Sequence, residues 1–346
     1  MAGKVGKSME RVLLIGGPGN ISMSTVTELL AKGDEVGIFT LPASPGLGFD
    51  KKVRFYRGNR EVEKELEAAV NAFKPDVVID FVCFAPRQAE QAADILSGRV
   101  RQYVFVSTVD VYGFPLSRLP MRETDPRRPG NCKYASDKME CEKALLDRAD
   151  KGHLPLTVAR PVYSFGPGFA LDLLTRKGGR YMIPRLRAGK PILVPGGGNT
   201  LIHVSSAYNT GRMIAQLAGH RQSIGKSYTC GHPSPMTHDE YVGLFARALG
   251  VEPKLVHIPF EVLLDLKMPE IEEEILPILS RFNLFFSVDA FTKEFPDFKW
   301  ELSLEDAAKQ YVEHNDRMGN FAGAGEENFE DRIINAWLAK IGNFSV

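Results

Sequence analysis

The sequence predicts an α/β protein, a doubly wound parallel sheet followed by a smaller C-terminal α/β lobe. Three observations predict it. Short apolar runs alternate with amphipathic helical stretches through the first half of the chain, the order that builds a parallel sheet covered on both faces. The first apolar run ends in clustered glycines, where a backbone turns tightly from strand into helix. After Pro167 the alternation loosens, and Gly and Pro become frequent, as in Gly178-Gly179 and Pro195-Gly196-Gly197-Gly198.

The elements follow in order. Residues 11–15 read RVLLI, a buried parallel strand. A helix is expected over 21–32, stopped at Gly33-Asp34. Strands are expected over 35–40 and 53–57, a helix over 61–73, a strand over 76–81, a helix over 86–96 and a strand over 102–107. A long helix over 134–149 and a sixth strand over 156–160 complete the run. Later, Thr237 reads as a helix N-cap, and residues 321–327 as a Gly-rich hinge before a final amphipathic helix. The ligand crevice of such a sheet lies at the carboxyl ends of its strands.

The bulk numbers exclude several classes. The 346 residues are enough for a well-buried core. Lys plus Arg and Asp plus Glu are 43 each, so net charge is zero and the basic excess of a phosphate-tracking protein is missing. The four cysteines, Cys83, Cys132, Cys141 and Cys230, show no metal-ligand spacing and read as inert thiols in a reducing compartment. No apolar run approaches the roughly 18 residues of a membrane span, and the run at Val12 is too short for a signal peptide. The expectation is a cytoplasmic protein without a metal. Gly6-Lys7-Ser8 mimics the end of a P-loop, but Met1 stands where the leading glycine belongs, so it reads as a flexible leader.

The chemistry gathers at the strand ends. Gly16-Gly17-Pro18-Gly19-Asn20-Ile21-Ser22 follows the first strand. Glycines there let backbone approach a pyrophosphate at the positive N-terminus of the next helix; the plain alternative is a ligand-free tight turn. Ser22 stands at the third glycine position. The second strand ends at Thr40, with neither the acid of an NAD site nor an adjacent Arg. Lys51, Lys52, Arg57 and Arg60 follow within reach of a 2′-phosphate, so NAD and NADP both stay open. Tyr134 and Lys138 lie four apart on one helix face. An ammonium beside a phenol favours the phenolate, which makes Tyr a usable acid or base; an ordinary surface pair is the alternative. Thr108, at the end of the fifth strand, lies in the same crevice.

Together these motifs resemble the extended short-chain dehydrogenase/reductase superfamily, in its NAD-dependent epimerase/dehydratase branch. The matching residues are Gly16-Gly17-x-Gly19, Ser107-Thr108-x-x-Val111-Tyr112-Gly113, Tyr134 with Lys138, and Arg160-Pro161-x-x-x-x-Gly166-Pro167. The resemblance spans at least 11–210 and extends weakly to Phe298-Lys299-Trp300 and Ser303-Leu304-Glu305-Asp306. It implies a Rossmann domain over 9–166 and a substrate lobe over 167–346, with segments near 200–230 returning to the main domain. It implies Thr108, Tyr134 and Lys138 as the catalytic set. For the cofactor it implies Gly16, Gly19, Asn20, Ile21, Thr40, Asn59, Arg60, Phe81, Val82, Cys83, Ser107, Lys138, Pro161 and Val162. For the substrate, Asp110, Tyr163, Arg185 and His203 are the candidates, although as a lone histidine His203 reads first as a structural residue.

Three departures bear on the substrate. Tyr163 stands where many nucleotide-sugar enzymes of this kind carry Asn. Leu201 and Ile202 replace their Arg-Asp pair, and Ser205 replaces an Asp. A diphosphate wants Arg or Lys, and Arg185 and Arg187 are the residues that would compensate. The expected function is an NAD(P)-dependent epimerase or related oxidoreductase acting on a carbinol carbon of a nucleotide sugar or sugar-like small molecule. The alternatives are a dehydratase or reductase of a non-nucleotide molecule, a cofactor-bound regulator without turnover, and an RNA-binding protein on the same fold, like the chloroplast stem-loop binders. Asp110 is not the Asp-Glu dyad of the dehydratases, which ranks that reaction below epimerisation. A homodimer is the assembly this reading admits, with no membrane or nucleic-acid partner.

Overall fold

The computed structural model describes residues 9–44, 48–49, 51–128, 132–174, 181–268, 271, 275–321 and 328–342. The expected leader at 1–8, Gly178-Gly179 and residues 322–327 of the expected hinge lie outside them. The first ten elements are β1 Arg11–Ile15, α1 Ser22–Ala31, β2 Glu35–Thr40, β3 Arg54–Arg57, α2 Glu63–Phe73, β4 Val77–Asp80, α3 Pro86–Leu96, β5 Gln102–Val106, α4 Lys133–Asp150 and β6 Leu156–Pro161. The remainder are β7 Tyr163–Phe165, α5 Met182–Arg187, β8 Pro191–Pro195, β9 Leu201–Ile202, β10 Val204–Ser206, α6 Ala207–Leu217, β11 Ser227–Cys230, β12 Met236–Thr237, α7 His238–Leu249, β13 Lys254–Ile258, α8 Phe260–Asp265, α9 Asp289–Glu294, α10 Leu304–Met318 and α11 Phe329–Gly342.

Seven strands pair in parallel in the order β11-β6-β5-β4-β1-β2-β3. The chain runs outward from β1 to β3, then crosses back to β4. Strand order therefore reverses between β1 and β4, where a doubly wound sheet opens its crevice. Burial on both faces explains the near-continuous apolar strands. One face packs Leu13, Ile15, Val78 and Phe105 against Leu66 and Phe73 of α2, Leu96 of α3 and Leu145 of α4. The other packs Val12, Leu14, Ile79 and Val104 against Val26 and Leu29 of α1 and Met213, Ile214 and Leu217 of α6.

The second half interleaves with the first. β7 pairs in parallel with β10, α6 lies along α1, and β11 adds to the sheet beside β6. The other small sheets are β8 with β13, parallel, and β9 with β12, antiparallel. Thr237 caps α7 reciprocally with Glu240, as its sequence position suggests. Among the described residues no helix is long and apolar enough to cross a membrane.

The α1–α6 contact is unusually close. Ser24 Oγ donates to Ala207 O at 3.0 Å, and Thr25 Oγ1 donates to Gly211 O at 2.9 Å. A Cβ on Gly211 would stand 2.1 Å from Ser24 Oγ and 2.4 Å from Ile21 O. The helix backbones cannot yield without moving the glycine loop that leads into α1. Gly211→Ala should therefore lower stability by about 1–3 kcal/mol of overpacking, against a helix-propensity gain of about 1 kcal/mol at most. Urea unfolding of the two proteins checks this; a variant at least as stable as the parent would mean that the helices separate freely.

Candidate active site

The loop after β1 is shaped by two glycines in the left-handed region, Gly16 at φ +88° and Gly17 at φ +104°. A Cβ on Gly16 would stand 2.5 Å from Val82 Cγ1, so the loop lies directly on the chain leaving β4. Ser22 does more than stay small at the third glycine position. Its Oγ accepts the Gly19 N–H at 2.8 Å and so ties the loop to the first turn of α1. Asn20 Nδ2 donates to Ser164 O at 3.0 Å, joining the loop to β7.

This loop forms one wall of a cavity of about 700 Å³. The opposite walls come from Phe39, Thr40 and Leu41 at the end of β2, Gly58 to Glu61 after β3, and Phe81, Val82 and Phe84 after β4. Gly16, Gly19, Asn20, Ile21, Thr40, Asn59, Arg60, Phe81 and Val82 all line it. The site fits a dinucleotide on its own geometry. Its volume suits an extended small ligand, and glycine backbone packed closely on Val82 lines one side of it.

Two cofactor candidates are placed differently from expectation. Arg60 lines the cavity, but its guanidinium is engaged by Asp80, with Nη1 at 3.0 and 2.9 Å from the two carboxylate oxygens, and by Gln88 O at 2.9 Å. It shapes the wall and is not a free cation for a 2′-phosphate. Arg57 is likewise tied, donating to Leu41 O at 3.3 Å and Ser44 O at 2.7 Å. Cys83 does not line the cavity at all; it is fully buried beneath it, facing Cys141. Phe84, which the sequence does not single out, takes the exposed place next to it.

A second cavity, of about 470 Å³, continues the first. Ile21, Phe81, Phe84, Ser164 and Phe169 line both. It gathers Ser107, Thr108, Asp110, Tyr134, Lys138, Pro161, Val162 and Tyr163. Thr108 caps a short 3₁₀ turn, Val109–Tyr112, and its Oγ1 accepts the Asp110 N–H at 3.2 Å. The Tyr163 hydroxyl donates to Asp110 Oδ1. Lys138 is buried, donates to Val106 O at 2.8 Å, and lies 4.8 and 5.0 Å from the ring centroids of Phe84 and Phe105. Burial pulls its pKa below the ordinary lysine value, opposed by the negative groups nearest it. Tyr134 is partly exposed, with its ring 6.4 Å from that of Phe84.

A buried ion pair sets the helix that carries Tyr134 and Lys138. Arg160 grips Glu142 of α4 with Nε at 2.9 Å and Nη2 at 2.7 Å, and gives Nη1 to the Tyr112 hydroxyl at 2.8 Å. One guanidinium thus fixes β6, α4 and the 3₁₀ turn together. The far walls of the second cavity are Leu171, Ile275 and Leu279. Ile275 and Leu279 lie in a single π-helical turn, Ile275–Ser280, which no sequence signal marked.

Two substrate candidates stand away from both cavities. Arg185 is 2% exposed and ion-paired with Glu330 at 3.4 Å and Asp331 at 3.0 Å; it docks α11 onto the lobe. His203 is fully buried: Nε2 meets His232 O at 2.7 Å, Nδ1 accepts the Phe286 N–H at 3.1 Å, and the ring stacks on Phe286. Burial holds its pKa down to about 4, so it stays neutral, a core histidine. Arg187 pairs with Asp316.

Comparison with known proteins agrees with this geometry. The chain is 26% identical over 251 residues to the 2′-dehydrokanamycin reductase of Streptomyces kanamyceticus, covering 72% of this chain and 70% of that one. It is 27% identical over 152 residues to a UDP-glucose 4-epimerase of Lacticaseibacillus casei, covering 39% of this chain and 45% of the epimerase. The chain thus matches about half the length of such epimerases. The fold matches the UDP-glucose 4-epimerase of Thermus thermophilus, solved as a complex with NAD, at a TM-score of 0.68 and 20% identity, covering 88% of this chain and 98% of that one. Residues 12–231 match the NAD dependent epimerase/dehydratase family. The chain belongs to that family, within the extended short-chain dehydrogenase/reductases.

Proposed function

We propose that the protein is an NAD(P)-dependent epimerase or related oxidoreductase acting at a carbinol carbon of a nucleotide sugar or sugar-like small molecule. In this reading residues 9–166 hold the cofactor and the later lobe the substrate. The observation that carries it is the continuity of the two cavities through Ile21, Phe81, Phe84, Ser164 and Phe169. A ligand extended through the first cavity ends where Thr108, Tyr134 and Lys138 converge.

The bound nicotinamide supplies the hydride acceptor. The chain supplies position and proton transfer. Lys138 has three donors, one of which goes to Val106 O; the others serve a cofactor ribose and the Tyr134 phenol. Thr108 Oγ1 accepts from the backbone, which leaves its own proton to donate to a substrate oxygen. Tyr134 takes the proton of the reacting hydroxyl. Asp110, oriented by Tyr163, faces a neighbouring substrate hydroxyl.

A second reading, a reductase of a non-nucleotide sugar-like molecule, is favoured by the charges. Among the described residues lining the second cavity, Lys138 is the cation and Asp110 the anion. Arg185 and Arg187, the residues expected to replace a phosphate-binding Arg, are engaged by Glu330, Asp331 and Asp316. Assay against nucleotide sugars and free amino and neutral sugars separates the readings by which class is turned over.

Three outcomes test the chemistry. Tyr134→Phe should cut turnover by about 100-fold or more, the usual worth of a placed acid/base, while leaving cofactor binding intact; Thr108→Ala should cost less. Full activity in the Phe variant, on a substrate that the parent converts, would remove the assignment. Lys138→Met should weaken cofactor binding and turnover together, and titration with dinucleotide reads the first directly. With Thr40 neutral and both arginines engaged, NAD and NADP dissociation constants should differ by less than about 1000-fold, roughly 4 kcal/mol; a larger gap would point to a selecting residue elsewhere.

A further inference from the structure

Cys83 and Cys141 meet where the cofactor-side loop touches the catalytic helix. Both are fully buried, and the Cys83 thiol points at Cys141 Sγ at 4.0 Å. Cys83 sits between Val82 and Phe84. Val82 is the residue against which Gly16 packs, and Phe84 lines both cavities with its ring over Lys138 Nζ. Cys141 lies on α4, one turn beyond Lys138. The other thiols have no such partner among the cysteines: Cys132 is half-buried, and Cys230 donates to Tyr228 O at 3.8 Å.

We infer that Cys83 and Cys141 are a redox site, a thiol pair that closes to a disulfide under hydrogen peroxide and thereby ties the cofactor-side loop to the catalytic helix. The two thiols are not equivalent. The hydrogen bond from Cys83 and the nearby Lys138 ammonium hold the Cys141 thiol below its ordinary pKa, while that shared bond and burial push Cys83 up. Cys141, one helical turn from the Lys138 ammonium, is assigned as the thiolate that attacks. Its sulfur displaces hydroxide from the peroxide O–O bond and becomes a sulfenic acid. The Cys83 sulfur then attacks the sulfenic sulfur, the S–S bond forms, and water leaves with the thiol proton. In sum, two thiols and one peroxide give one disulfide and two waters. The depth of the pair restricts the oxidant to a molecule scarcely larger than water.

The consequence is mechanical. The sulfurs must approach from 4.0 Å to the disulfide distance of about 2.05 Å. Val82 is packed on Gly16 and its N–H is held by Asp80 Oδ1 at 3.0 Å, so backbone movement at Cys83 beyond what side-chain rotation absorbs is transmitted to the glycine loop. The displacement passes to the loop that lines the first cavity and to the Phe84 ring beside Tyr134.

The consequence for dinucleotide rests on the proposed cofactor site; the bridge itself does not. The experiment treats the full chain with hydrogen peroxide, maps its peptides by mass spectrometry without reduction, and titrates NAD before and after. The expected result is one linked peptide pair containing Cys83 and Cys141, an NAD affinity lowered by about tenfold, and recovery with dithiothreitol. Cys141→Ala should keep its NAD affinity through the same treatment. Recovery of both cysteines as free thiols, or a bridge that leaves affinity unchanged, would overturn the inference; so would a Cys141→Ala variant as sensitive as the parent. If reduced protein binds no dinucleotide, the proposed function fails instead, and absence of the linked peptide still decides against the pair.

Discussion

The buried carboxylate of Asp80 is the interaction on which the site depends. It ends β4 at the point where strand order reverses. Its oxygens accept from Arg60 after β3, from the Tyr103 hydroxyl of β5 at 2.9 Å, and from the Val82 N–H at 3.0 Å. The segment after β3, the end of β4 and the Tyr103 side chain of β5 are thereby held to one group. A carboxylate this deep is tolerable only with such partners, and removal of one member of a buried ion pair typically costs about 3–5 kcal/mol. The directed consequence is the course of 81–84: Val82 against the glycine loop, Phe84 across the mouth shared by the cavities, Cys83 inward.

Lys138 is a second charge placed where water cannot reach it. Its burial is offset by the Val106 carbonyl and by the faces of Phe84 and Phe105. It can be held there because α4 is itself fixed from behind. Burial alone would raise the Glu142 pKa, yet Arg160 keeps it below the ordinary carboxylate value. Arg160 thus fastens α4 through Glu142, while Arg60 and Asp80 fasten the segments that follow β3 and β4. Phe84 lines both cavities and lies against Lys138 and Tyr134, so the loop after β4 bears on both parts of the cleft.

How much of this was legible depends on range. Apolar runs such as RVLLI and DVVIDF name their strands because burial on both faces is a local property of composition. The glycine turn and the Tyr134/Lys138 pair are local in the same sense, and both line the cleft. Arg60 lines the first cavity as expected, but its pairing was not legible because Asp80 stands at the end of β4, not beside it in sequence. Arg185 was misjudged more deeply: Glu330 and Asp331 arrive from the final helix. For His203, stacking on Phe286 and the bond to His232 O come from segments far along the chain. Leu171, Ile275 and Leu279 gave no signal, since an apolar residue facing a cavity looks like one facing a core.

Those long-range pairings also bear on what the cleft accepts. Among the described residues, Arg60 beside the first cavity and Arg185 and Arg187 in the second half are held by carboxylates, and Arg57 by backbone carbonyls. The described wall of the second cavity is then Val162, Phe169, Leu171, Ile275 and Leu279 facing Thr108, Asp110, Tyr134 and Tyr163. A diphosphate there would meet one cation, Lys138, among the described lining residues, and would otherwise lose hydration against aliphatic side chains. A neutral polyhydroxy ring meets the same surface differently. Its C–H face lies on the aliphatic side, and its hydroxyls reach the hydroxyl and carboxylate groups opposite. On the proposed reading, Glu330, Asp331 and Asp316 therefore bear on the polarity of the substrate without touching it, because they hold Arg185 and Arg187 elsewhere.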